Sequence, residues 1–146
     1  MSELTEVFKT IDLLLKSCEI DYLELKKHKI DELFFTDYGN QRIINSFLFN
    51  FIKIQDKIGA KLFKKVLYSQ KEIDDESLPM KDVLNLLEKL RIIDSSDSWE
   101  KLREIRNALT HEYPFDIEER IENIKLALGG YDTLRTIYHN LKNSCQ

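Results

Sequence analysis

The sequence predicts an all-α protein, an up-and-down bundle of about five helices that forms a single domain over residues 1–146. Three observations support this fold class. The length of 146 residues is close to the commonest domain size. Only four glycines and two prolines occur, too few for a sandwich or barrel with many tight turns. Apolar residues recur at three- and four-residue spacing, the period of helices that bury one face.

The first half of the chain predicts two long helices. Ser2 can cap the first, which either continues towards Lys29 or breaks briefly near Cys18. Residues 34–40 are predicted to be a loop, because Gly39 and Asn40 punctuate them, and Asp37 or Asn40 can cap the second helix. This helix, from residue 41 to about 69, has the longest apolar periodicity. It contains Gly59, which indicates close helix packing.

The second half predicts three more helices. Pro79 suits the first turn of a short helix that runs to about residue 91. Asp97, followed by Glu100, resembles a capping box for a helix from about residue 99 to 110 or 111. Pro114 should end that helix. Asp116 then caps a fifth helix, which Gly129-Gly130 could kink or interrupt.

Composition limits the functions to consider. The formal net charge of −4 argues against a general nucleic-acid coat protein but leaves room for a local basic site. The start of the chain is polar and acidic, unlike a signal peptide, and no apolar run approaches the ~20 residues of a membrane span. Cys18 and Cys145 lack metal-ligand spacing. We therefore expect a cytoplasmic protein with reduced thiols, no membrane association, no metal and no cofactor.

One segment carries groups suited to chemistry on phosphates. Arg106, Asn107, His111 and Tyr113 lie within eight residues, where the fourth helix is predicted to end. An imidazole can take or give a proton near neutral pH, and a guanidinium binds phosphate oxygens bidentately. RNA carries its own nucleophile, the 2′-hydroxyl. A base, an acid and a group that stabilises the developing charge therefore suffice for cleavage.

Helix geometry bears on how these groups meet. Five residues of helix rotate by about 140° and rise ~7.5 Å, so Arg106 and His111 would not share a narrow stripe on one straight helix. His111 could swing back from the end of the helix. Alternatively, two copies of the segment could meet across a two-fold axis and bring two arginines and two histidines into one cleft.

The pattern Arg106-Asn107, three residues, His111-x-Tyr113 resembles the Arg-x4–6-His motif of HEPN domains, and more narrowly the Arg-x4-His-x-Tyr motif of the HepT toxin branch. The resemblance implies a helical bundle that dimerises through its motif helices. It also implies a metal-independent endoribonuclease with Arg106 and His111 catalytic and Asn107 as the polar residue beside them. In that branch a minimal nucleotidyltransferase antitoxin transfers AMP to the motif tyrosine, and Tyr113 is the matching position.

Other interpretations stay open at this point. Some HEPN domains bind nucleotidyltransferases and do not cut RNA, so the chain could be a non-catalytic partner- or nucleotide-binding module. A helical scaffold with a coincidental motif is the third interpretation. Four lysines at i, i+4 spacing could line up as a contact for RNA phosphates, although such a stripe is usually a solvated helix face; they are Lys53, Lys57, Lys61 and Lys65.

Overall fold

The computed structural model describes residues 2–110 and 116–145, and in these ranges every regular element is a helix. The elements in chain order are α1 (Glu3–Lys26), α2 (Glu32–Thr36), α3 (Tyr38–Lys57), a π-helical turn (Ile58–Leu62), α4 (Phe63–Ser69), α5 (Met80–Lys89), α6 (Ser96–Leu109) and α7 (Ile117–Ser144). The predicted all-α bundle is confirmed. Since α3, the π turn and α4 form one continuous rod, the described chain holds six helical rods, one more than predicted.

The extra helix lies where the sequence predicted a loop. Asp31 caps α2 by accepting a hydrogen bond from the amide of Phe34 at 2.8 Å. Asp37 then caps α3 by accepting from the amide of Asn40 at 3.0 Å. Gly39 therefore lies in the first turn of α3, so the prediction of a loop over residues 34–40 is wrong. Of the two caps that the sequence offered for this helix, Asp37 and Asn40, the structure shows Asp37.

The first and last helices run without interruption. The hydroxyl of Ser2 caps α1, accepting from the amide of Thr5 at 3.1 Å. α1 continues through Cys18, whose side chain is buried in the core and faces the carbonyl of Phe47. At the other end of the chain, Asp116 caps α7 as predicted. α7 continues through Gly129-Gly130 without a break.

The long helices α1, α3 and α7 pack side by side, and α1 is antiparallel to both of the others. Late residues of α1 lie beside early residues of α3, as in the hydrogen bond of 2.6 Å from Ser46 to Asp21. Early residues of α1 lie beside late residues of α7, as in the hydrogen bond of 2.6 Å from Tyr138 to Asp12. The core between the helices is apolar and fully buried; it includes Ile11, Ile44, Phe47, Phe51, Ile54, Val83, Leu87, Leu134 and Leu141.

Polar contacts also join α1 to α7 at the edge of this core. Arg135 donates to both carboxylate oxygens of Glu19, at 2.8 and 2.9 Å, and the hydroxyl of Tyr131 donates to Glu19 at 2.5 Å. Burial raises the pKa of Tyr131, and the bond to Glu19 adds to the shift. These bonds fix the register of the two helices. None of the described helices combines the length and apolar character needed to cross a membrane.

Candidate functional site

Helix α6 carries the first part of the motif, and its two ends are defined by their caps. The hydroxyl of Ser95 accepts from the amide of Ser98 at 3.2 Å, so the cap is Ser95 and the predicted cap at Asp97 is wrong. The helix ends at Leu109 with Thr110 as its C-cap, as the sequence predicted. His111 and Tyr113 lie outside the described residues.

One face of α6 lines a cleft of about 520 Å³. Its residues there stand at the i, i+4, i+7, i+8 spacing of a helix face; they are Trp99, Arg103, Arg106 and Asn107. The opposite wall comes from the end of α3 and the π turn, with Gln55, Asp56 and Gly59. The cleft therefore brings Arg106 and Asn107 together at the helix end that precedes His111 in the chain.

A glycine lets the two walls approach closely. A methyl group at Gly59 would lie 2.9 Å from Cζ2 of Trp99, closer than carbon atoms pack. Trp99 is buried and meets the ring of Phe63 edge to face, with centroids 4.7 Å apart. The predicted close packing at Gly59 is confirmed. Gly59 also lies in the π turn, a feature that is frequent at functional sites.

Arg106 is held by a carboxylate from α3. Its Nε donates to Oδ1 of Asp56 at 3.0 Å and its Nη2 donates to Oδ2 at 2.9 Å. The hydrogen bond to Asp56 raises the pKa of Arg106, which stays charged at any working pH. A guanidinium has five N–H groups, and among the described residues only Asp56 accepts from it. Within the described part of the chain, three of its N–H groups therefore remain for the oxygens of a ligand.

The two neighbours of Arg106 in the cleft are polar and exposed. Arg103 donates from Nη1 to both carboxylate oxygens of Glu100, at 3.2 Å each. Asn107 is exposed in the last turn of α6, on the cleft-lining face. The cleft thus presents two cations and an amide to solvent, with one carboxylate beside each cation. An anionic ligand at this cleft would have to displace these carboxylates or share the guanidinium groups with them.

A buried amide without a partner for its oxygen lies at the opposite wall. Gln55 is only 2% exposed, and no described residue donates to its Oε1. Gln55 was not among the residues predicted from the sequence, although the sequence carries a signal for it. Gln55 stands four residues after Phe51 and eight after Phe47, so it places a polar group on the core-facing stripe of α3.

The four lysines do not form one uniform stripe. Lys65 is half-buried and contacts Glu3 and Glu76, with Nζ–carboxylate distances of 3.1 and 3.6 Å. Lys57 and Lys61 line a second cleft together with acidic residues of α1. Lys53 lies over the exposed ring of Phe49 at 5.0 Å. The acidic start of α1 partly neutralises this surface, and RNA contact by the lysines stays a prediction.

The described residues show no metal-binding site elsewhere in the protein. Residues 2–110 and 116–145 contain no group of three or more His, Cys, Asp or Glu side chains arranged to hold a metal ion. Comparisons with family models, with curated proteins and with solved structures find no match for this chain. The resemblance to HEPN domains therefore depends on the eight-residue motif and the helical architecture.

Proposed function

We propose that the protein is a metal-independent endoribonuclease of the HEPN type, with Arg106, Asn107 and His111 in its active site. The observation that carries the proposal is the cleft beside the end of α6. It gathers Arg106, Asn107 and a second guanidinium from Arg103. His111 follows the C-cap of this helix directly in sequence. An RNA phosphodiester at the cleft would therefore meet Arg106 and Asn107 close to the start of the segment that carries His111.

The reaction needs only groups that the motif and the RNA supply. His111 takes the proton of a 2′-hydroxyl, whose oxygen attacks the adjacent phosphorus. The bond from phosphorus to the 5′-oxygen breaks, and that oxygen receives a proton from a second imidazole. The products are a 2′,3′-cyclic phosphate and a 5′-hydroxyl. The N–H groups of Arg106 that do not bond to Asp56 stabilise the charge that builds on the phosphate oxygens, and Asn107 orients the phosphate.

A homodimer supplies the second imidazole. Two copies that meet through their α6 ends across a two-fold axis would bring two copies of His111 into one cleft, one as base and one as acid. A single histidine then does not have to act as both the base for the 2′-hydroxyl and the acid for the 5′-oxygen. The proposed active form is therefore the dimer, and the monomer binds RNA without cutting it efficiently.

Tyr113 is the proposed point of control. A cognate minimal nucleotidyltransferase antitoxin transfers AMP to its hydroxyl, two residues after His111. The phosphodiester adds bulk and negative charge beside the cleft, which repels the RNA backbone and silences the enzyme. The protein is then the toxin of a toxin–antitoxin pair.

Incubation of the purified, unmodified protein with tRNA and mRNA in EDTA tests the proposal. The wild type should cut RNA, whereas Arg106→Ala and His111→Ala should not. Arg42→Ala is the matched control, because Arg42 lies near the start of α3, about 20 Å along that helix from Asp56. Intact RNA with the wild type, when mass spectrometry finds Tyr113 unmodified, would overturn the proposal.

A second candidate function is a non-catalytic module that binds a nucleotide for a nucleotidyltransferase partner. The observation in its favour is the cleft itself, which has cations on one wall and a buried amide on the other, groups that can bind a nucleotide without catalysis. Expression in a bacterial host separates the two. Growth arrest by the wild type that His111→Ala relieves favours the nuclease, and absence of arrest favours the module.

A further inference from the structure

The buried oxygen of Gln55, to which no described residue donates, bears on what the cleft could bind. We propose that the cleft is a nucleobase subsite, in which Oε1 of Gln55 accepts a hydrogen bond from the amino group of a base while Arg103 and Arg106 bind its phosphate. The inference deepens the proposed function and rests on it where it concerns RNA. It names the part of the substrate that the cleft reads.

A buried acceptor without a donor costs folding stability. A buried polar atom without a hydrogen bond destabilises the folded protein. Oε1 of Gln55 is such an atom, and the described chain offers it no donor. An apolar side chain of similar size would fit the core-facing stripe of α3 without that cost. A ligand that brings an N–H donor removes the cost and explains why an amide suits this position.

The size and polarity of the cleft also bear on its ligand. The cleft has a volume of about 520 Å³, within the ~300–1,000 Å³ of typical small-molecule sites. Its two cationic groups, Arg103 and Arg106, come from α6, whereas Gln55 comes from α3 on the facing wall. A nucleotide has the same polarity, with an anionic phosphate at one end and a flat base with hydrogen-bonding edges at the other.

A ligand in the cleft also needs access to the amide of Gln55. Oε1 of Gln55 is covered by the surrounding protein, but the terminal torsion of a glutamine side chain is soft. The proposed contact therefore requires a rotation of the amide that presents its oxygen, with the N–H₂ group beside it, to the cleft. The adjacent acceptor and donor then match the edge of adenine or cytosine, on which an amino group lies beside a ring nitrogen that accepts.

Two probes that differ by one amino group test the proposal. AMP and purine riboside 5′-monophosphate have the same phosphate, ribose and ring size, but the second lacks the 6-amino group. Titration calorimetry of each into the full chain should find AMP bound roughly ten-fold more tightly, the size of one buried hydrogen bond. Equal affinities, or no binding of AMP at millimolar concentrations, would overturn it.

The variant Gln55→Met tests whether Gln55 binds the base, because a purely structural role for Gln55 would not change the preference for AMP. It fills the same volume without an acceptor, so AMP should bind about ten-fold more weakly, and the preference over the purine riboside should vanish. The same change should leave the protein as stable as the wild type or more so, because it removes the unpartnered oxygen. A destabilised Gln55→Met protein that keeps its preference for AMP would contradict the proposal.

The experiment separates this inference from the proposed function. Binding of AMP that depends on Gln55, together with uncut RNA, would leave the nucleobase subsite standing and overturn the nuclease. Cleavage of RNA without any effect of Gln55→Met on AMP affinity, or on the bases beside the cut, would leave the nuclease standing and overturn the subsite.

Discussion

The carboxylate of Asp56 accepts two hydrogen bonds from Arg106, which lies 50 residues further along the chain. The pair is partly exposed, with side-chain exposures of 30% for Arg106 and 49% for Asp56. Ion pairs that water reaches add about 0–1 kcal/mol to folding stability. The contact therefore matters less for the fold than for the position of the guanidinium, which it fixes at the cleft with three N–H groups that bond to no described residue.

Removal of the charge of Asp56 should change RNA binding and leave the fold intact. Asp56→Asn, made in the inactive His111→Ala background, should bind RNA more tightly at low salt, because Arg106 is no longer neutralised by its partner. Fluorescence anisotropy with a labelled RNA over a series of salt concentrations measures this change. Stability should shift by less than about 1 kcal/mol.

A second carboxylate provides the control for that experiment. Glu104→Gln removes the same charge from an exposed position on α6, away from the cleft-lining residues. The gain in affinity from Asp56→Asn should exceed the gain from Glu104→Gln. Equal gains would mean that only net charge matters and that Arg106 does not contact the phosphate.

Because α6 lies so close to the π turn, alanine in place of Gly59 and alanine in place of Gly129 should change the stability of the protein in opposite directions. Gly59→Ala should destabilise the protein by about 1–3 kcal/mol, because the new methyl group would lie 2.9 Å from Trp99. Gly129→Ala should stabilise it by up to about 1 kcal/mol, since that position is exposed in the middle of α7 with no atom within 4 Å of the new carbon. Urea denaturation measures both, and equal effects would contradict the packing at Gly59.

The raised pKa of Tyr138 should make the protein less stable at alkaline pH. Burial raises the pKa of its hydroxyl above the ordinary value of 10.0, and the hydrogen bond to Asp12 at 2.6 Å adds to the shift. Below about pH 10 the hydroxyl is neutral in both the folded and the unfolded chain. Above it, only the unfolded chain ionises, so the free energy of unfolding falls as the pH rises.

The variant Tyr138→Phe should remove that part of the pH dependence. It should be less stable than the wild type near neutral pH, because the bonds to Asp12 and to the carbonyl of Phe8 are lost. Between neutral pH and about pH 11 it should lose less stability than the wild type does. Parallel curves for the two proteins would show that Tyr138 does not carry the alkaline transition.

The sequence predicted the helices more fully than the site. Periodicity located every long helix, because burial of one face imposes the 3.6-residue period. It failed over residues 34–40, where glycine and asparagine suggested a loop but Asp31 and Asp37 cap two successive helices. It also failed at residue 58, since a π turn leaves no mark on composition and depends on tertiary packing.

The residues that line the cleft differed in how far the sequence predicted them. Arg106 and Asn107 were singled out from the motif, because the motif is local in sequence. Asp56 gave no signal, because a pairing across 50 residues depends on how α3 and α6 pack. Gln55 gave a signal, a polar residue on an apolar stripe, whose meaning needed the buried environment of the folded chain.

The chemical ends of the cleaved RNA test the central claim most directly. Wild-type protein in EDTA should leave 2′,3′-cyclic phosphate and 5′-hydroxyl ends, since the 2′-oxygen is the nucleophile in the proposed reaction, and Arg106→Ala should leave none above background. Mass spectrometry of the fragments measures both. Ends that carry a 5′-phosphate, or cleavage that survives Arg106→Ala, would contradict the assignment of Arg106 and His111 to a metal-independent active site.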